Sequence, residues 1–154
     1  MPDIERVLRE SVDEVLEKMF FIRSFGDAAG VSGGSELVAY LTFVGKPSGS
    51  FTLRATLAVA RSITADFLGE EDEMLDDGQV GEVICELANM ICGSALSRME
   101  SQFQFRLASP VLLPTPPADR GATVQCAVEL YNGALAVTMN MEETACSPTE
   151  EYVF

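Results

Sequence analysis

The chain contains no histidine among its 154 residues. That removes the Ser-His-Asp and Cys-His nucleophile systems, imidazole acid–base catalysis and every zinc site built on histidine. Any chemistry must run on carboxylates, amides, hydroxyls or thiols, or on a group supplied by a partner. Basic residues are scarce too: 10 Lys and Arg against 24 Asp and Glu give a net charge of −14 and a pI near 4.2. Such a surface repels phosphate backbones and anionic lipid headgroups, which argues against nucleic-acid and membrane partners.

The four cysteines, Cys85, Cys92, Cys126 and Cys146, form no Cys-x-x-Cys pair, so neither a zinc knuckle nor a thioredoxin-type site is indicated. On one helix, Cys85 and Cys92 would stand roughly 10 Å apart along the axis, too far for a disulfide. The charged opening Met1-Pro2-Asp3-Ile4-Glu5-Arg6 lacks the apolar run of a signal peptide, and no stretch approaches the ~20 apolar residues of a bilayer span. The expectation is a cytoplasmic protein with reduced thiols.

What is present suffices for one domain: 47% of the residues are hydrophobic and the mean hydropathy is +0.18. Residues 1–142 are expected to form it, with the acidic stretch 143–154 as a mobile tail. Apolar residues Ile4, Val7, Leu8, Val12, Val15, Leu16 and Met19 fall at helical spacing over 3–22. The glycine-rich stretch Ser24–Ser35 has neither a Gly-Lys-Ser/Thr ending nor a GxGxxG pattern and reads as a connector. Two β-type runs, 37–44 and 50–59, flank Gly45-Lys46-Pro47-Ser48-Gly49 as a hairpin, and a short helix over 61–68 ends at Gly69. The acidic run Glu70–Asp77 reads as a solvated loop whose Asp76 or Asp77 starts the next helix, or as a charged docking patch. A second long helix is expected over 79–99, then strands near 103–111, 123–131 and 134–141, the last two joined by Asn132-Gly133.

The order of elements and the match of Val12–Phe20 to Val83–Ile91 suggest an internal duplication. The fold class expected is therefore α+β, a two-layer structure of pseudo-duplicated helix-plus-hairpin halves. One mixed or antiparallel sheet would be covered on one face by two long helices.

At about 100° per residue, Glu82, Glu86, Asn89 and Gly93 fall on one narrow line of the second long helix, opposite Ile84, Leu87, Ala88, Ile91 and Ala95. Glutamates on an outer helix face are ordinary solvated residues. Asparagine is a poor interior helix former because its amide competes for backbone hydrogen bonds. A helical glycine costs about 1 kcal/mol relative to alanine, which is tolerable where something large must approach the backbone.

Glu86-Leu87-Ala88-Asn89-Met90-Ile91-Cys92-Gly93-Ser94-Ala95, with Pro110 downstream, resembles the signature of the CheC/CheX/FliY phosphatases of bacterial chemotaxis. The resemblance spans nearly the whole chain. Where the second helix has Glu86 and Asn89, the first has Val15 and Lys18, so the chain is similar to the single-site, CheX-like members. It departs from the family pattern at Glu82, where Asp or Ser is more usual, and in a shorter interval from Asn89 to Pro110.

The resemblance implies a CheC-like fold and a phosphatase acting on the phospho-aspartate of a CheY-like response regulator. Asn89 would orient the attacking water and Glu86 would pair with the regulator's lysine, while Glu82, Gly93 and Pro110 would serve binding. No cofactor or metal of its own is implied, because the Mg2+ would be held by the regulator. CheX-like members dimerise through their sheets, which implies a homodimer, with the 134–141 strand as a candidate edge. The alternative is a non-catalytic module that binds a regulator or a flagellar-switch-like partner. A regulatory role outside flagellar signalling would change the pathway but not the chemistry. A metal-dependent hydrolase built on Glu82, Glu86 and the acidic loop ranks third, since hard-metal sites draw oxygens from several segments.

Overall fold

The Asp3 carboxylate accepts a hydrogen bond from the Arg6 backbone N–H and starts helix α1 (Ile4–Phe20), which stops where Phe21 turns left-handed. The computed structural model describes residues 3–31, 35–99, 104–118 and 122–142; the expected tail at 143–154 lies outside them. Along the chain follow β1 (Glu36–Val44), β2 (Gly49–Thr56), α2 (Leu57–Leu68), a 3-10 turn (Asp72–Met74) and α3 (Asp77–Met99). Then come β3 (Arg106–Leu107), β4 (Val111–Leu113), β5 (Ala122–Leu130) and β6 (Gly133–Met141).

The strands form one sheet in the order β1-β2-β6-β5, with β3 and β4 both pairing along the outer side of β1. Every described pairing is antiparallel. The two hairpins, β1–β2 and β5–β6, meet at the β2–β6 pair, so both halves share one sheet as expected. The helices cross over: α3 rests on the β1–β2 hairpin, α1 on β5, and α2 spans β2 and β6. Each long helix therefore covers the hairpin of the other half.

Period-two alternation sends Leu41, Phe43, Phe51, Leu53, Val128, Leu135, Val137 and Met139 to the helical face, where they are buried against Leu8, Leu16, Phe20, Ile63, Ile84, Leu87 and Ile91. By length and composition α3 could cross a bilayer. Its apolar residues are instead the ones that close this core. The opposite sheet face is polar. Tyr40, Thr42, Ser50, Thr52, Thr138 and Asn140 occur there at alternate positions. Because β4 flanks one edge and β5 forms the other, the chain must cross the sheet between them. Pro116, Pro117 and Ala118 do so over the polar face.

Three expectations need correction. The second β-run ends at Thr56, because its hydroxyl accepts the Val59 N–H at 3.2 Å and caps α2; apolar Leu57–Ala60 fits either period, and the cap decides. The strand expected over 103–111 is two short pieces on either side of Ala108-Ser109-Pro110, since proline has no N–H for the ladder. Finally, β6 is an interior strand bonded to β2 and β5, so it cannot be a dimer edge.

Candidate functional site

The acidic run before α3 is built as a helix start. The Gln79 N–H donates to Asp76 Oδ1 at 2.8 Å while the Asp76 N–H donates to Gln79 Oε1 at 2.9 Å, a reciprocal cap. Arg61 on α2 reaches across to the Asp72 carboxylate at 2.8 Å and to its carbonyl at 2.7 Å, fixing the 3-10 turn. At the other end Arg98 bonds Glu10 at 3.3 Å and also Glu14, tying α3 to α1. Helix α3 is thus held at both ends and along its buried face. Its outward line is rigid as a consequence.

On that line Glu82 and Glu86 are exposed, and Asn89 and Gly93 are half-buried. Among the described residues, the side chains of Glu82, Glu86 and Asn89 make no hydrogen bond or ion pair. By contrast, Glu10 and Glu14 on α1 are engaged by Arg98. A Cβ at Gly93 would meet nothing within 4 Å. Nothing inside the fold therefore calls for glycine at this position. Gly81, one position before Glu82, differs: a Cβ there would come within 2.8 Å of Leu112 Cδ1, the movable end of an exposed side chain on β4.

The structure brings Glu82, Glu86, Asn89 and Gly93 together on one ridge. Pro110 stands on a different element, half-buried in the break between β3 and β4. Gly81 escaped the sequence reading; its only signal was a second glycine inside the same helical pattern. At the matching place on α1, Val15 is buried and Lys18 bonds Glu14 at 3.1 Å, so no second ridge exists there.

The two thiols on α3 are disfavoured as nucleophiles. Burial pushes Cys92 up to about 12 and raises Cys85 as well, which suppresses the reactive thiolate. Among the described residues no three Cys, Asp or Glu side chains are grouped as metal ligands. The ridge offers two carboxylates and a carboxamide on a convex surface. Such a shape cannot enclose a small substrate, but it can enter a cleft on another protein.

The sequence pattern of the family described as chemotaxis phosphatase CheX matches residues 37–128, more than half of the chain. The chain belongs to the CheX family. That match includes β1, β2, α2, all of α3 and most of β5, and hence the whole ridge. No curated protein matches the sequence. Among solved structures, a chain of the CheX-CheY-BeF3-Mg2+ complex from Borrelia burgdorferi is 16% identical with a TM-score of 0.77, covering 92% of this chain and 99% of that one. The chemotaxis protein CheX from Vibrio vulnificus is 22% identical with a TM-score of 0.75, covering 92% and 97%. FliY from Thermotoga maritima is 14% identical with a TM-score of 0.63, covering 90% and 87%. These likenesses establish the CheC-like α+β fold.

Proposed function

We propose that this protein hydrolyses the phospho-aspartate of a CheY-like response regulator, with Asn89 positioning the water and Glu86 docking the regulator. The observation that carries this reading is the uncommitted state of Glu82, Glu86 and Asn89 on a helix fixed at both ends. Family membership, and a neighbour that is itself a complex with CheY, support the choice of partner.

The Asn89 carboxamide donates through its N–H and accepts through its oxygen without changing charge. Inserted beside an acyl phosphate, it holds a water in line with the phosphorus. The water's oxygen bonds to phosphorus as the bond to the aspartyl oxygen breaks, giving inorganic phosphate and a free carboxylate. Catalysis of this kind is mostly positioning, which a side chain on a rigid helix supplies. Glu86, one turn earlier, pairs with a lysine of the regulator and sets the register. Glu82 extends the same anionic line, and Gly93 lets the partner's backbone approach. Pro110 is carried as a further contact on a separate element. A Mg2+ held by the regulator would neutralise the phosphoryl oxygens, a part that Glu82, Glu86 and Asn89 would then not need to supply.

The test follows decay of a phosphorylated CheY-like regulator with wild-type protein and with Glu86→Ala. Acceleration by the wild type, and a raised KM with smaller change in kcat for the variant, support the reading. No acceleration, with binding that ignores phosphorylation, contradicts it and leaves a non-catalytic module. A homodimer through the sheet belongs to the same proposal, by way of the β3–β4 edge instead of β6. A monomer mass by light scattering at micromolar concentration contradicts that part.

A further inference from the structure

Leu112 on β4 pairs with the fully buried Ala39 of β1 and so points to the helical face of the sheet, beside α3. Its Cδ1 lies 2.8 Å from where a Cβ at Gly81 would stand, yet the side chain is 44% exposed. The fold covers it on one side only. At about 100° per residue, Gly78, Gly81 and Cys85 occupy the strip of α3 between Leu112 and the line of Glu82 and Glu86. No α3 side chain larger than a thiol therefore stands between them. On the other flank α1 packs along α3. A partner lying on the ridge meets a helix on that side and the low shoulder carrying Leu112 on this one.

The ridge alone is a thin docking surface. Two exposed carboxylates on a convex helix are screened by solvent and salt and hold a partner weakly. Protein interfaces draw much of their affinity from apolar side chains near the centre, ringed by polar ones. Leu112 offers such a side chain beside the turn of α3 that carries Glu82. Its neighbour Val111 is 51% exposed but pairs with Tyr40 and points to the opposite face of the sheet. One short strand thus presents two exposed apolar residues, one beside the ridge and one behind the sheet.

We propose that Leu112 is an apolar docking residue for the CheY-like regulator, received by an apolar side chain at the rim of the regulator's active-site cleft. This rests on the ridge being the regulator's docking surface and extends that surface onto β4. Partner choice then depends on an apolar match at Leu112 as well as on the lysine that Glu86 meets.

The experiment uses the full chain as wild type, Leu112→Ser, Leu112→Met and Val111→Ser. It measures affinity for a CheY-like regulator held with BeF3 and Mg2+ as the phosphoryl mimic, and decay of the phosphorylated regulator. Leu112→Ser is expected to weaken binding roughly tenfold or more, raising KM while kcat at saturation stays near wild type. Leu112→Met, which keeps the apolar contact, and Val111→Ser, on the opposite face, are expected to bind like wild type. Leu112→Thr, better suited to a strand, replaces Leu112→Ser if urea unfolding shows that serine destabilises the chain. A wild type that binds and accelerates decay, beside a Leu112→Ser that binds equally well, overturns this proposal and leaves the hydrolysis standing. Equal losses at Leu112 and Val111 overturn it too. So does a Leu112→Ser change in oligomeric mass without one in regulator affinity, which assigns the residue to a contact between copies. A wild type that binds the regulator without accelerating decay contradicts the hydrolysis alone, because the contrast between Leu112→Ser and Val111→Ser still decides the docking role. A wild type that does neither overturns both.

Discussion

Gly81 and Gly93 share α3 about three turns apart, and only the first has a neighbour: a Cβ at position 81 would push on the movable end of the exposed Leu112 side chain, and one at 93 meets open space. Gly93→Ala is expected to leave stability unchanged or raise it by up to about 1 kcal/mol in urea unfolding. The same variant should raise KM for the phosphorylated regulator. A variant that unfolds more easily and turns over normally would mean Gly93 serves the fold.

Gly133 closes the β5–β6 hairpin at φ +153°. A Cβ there would sit 2.6 Å from Thr56 Oγ1 and 2.9 Å from Val59 Cγ2, against the group that caps α2. Gly133→Ala combines backbone strain with loss of that cap, and a cost of about 2–3 kcal/mol is expected in urea unfolding. Retained stability would show that the hairpin and α2 separate easily.

Hydrogen bonds from Lys18 and Arg98 hold the Glu14 carboxyl below its ordinary value of 4.5. A carboxyl depressed in the folded state stabilises above its unfolded value, and that contribution is lost as pH falls through the folded one. Arg98→Ala should therefore melt lower than wild type at neutral pH, with the gap closing below about pH 4.5. The gap should also shrink in high salt, as it does for exposed pairs. A gap independent of both pH and salt would assign Arg98 a packing role.

Burial raises the Cys92 thiol from 9.0 to about 12. Its proton is held more tightly in the folded state, so its contribution is intact below pH 9.0 and declines as pH rises toward 12. The stability difference between wild type and Cys92→Ala should narrow over that window, by up to roughly 1.4 kcal/mol per pH unit. Urea unfolding at successive alkaline pH values reads this directly. A constant difference would mean the thiol titrates normally.

The α3 ridge was legible in the sequence because helical period and capping are local: the 4, 3, 4 spacing places Glu82, Glu86, Asn89 and Gly93 on one line whatever the tertiary context. The Asn132-Gly133 hairpin was legible for the same reason. Strand order was not, because pairing joins residues far apart in sequence. The alternation of β6 reads identically for an interior strand and an edge, and its place between β2 and β5 follows from the meeting of the two hairpins. The start of α2 was missed because Leu57-Ala58-Val59-Ala60 suits either period, and only the Thr56 cap resolves it. The position of Pro116, Pro117 and Ala118 over the polar sheet face is likewise set by strand order, which no local pattern encodes.

The most direct test of the account is phosphoryl decay of a CheY-like regulator with Asn89→Ala, measured alongside its affinity for the same phosphorylated regulator. The account predicts that affinity stays close to wild type while the acceleration falls by roughly a hundredfold or more, as expected when a water-positioning group is lost. An Asn89→Ala protein that binds and accelerates decay like the wild type would contradict it.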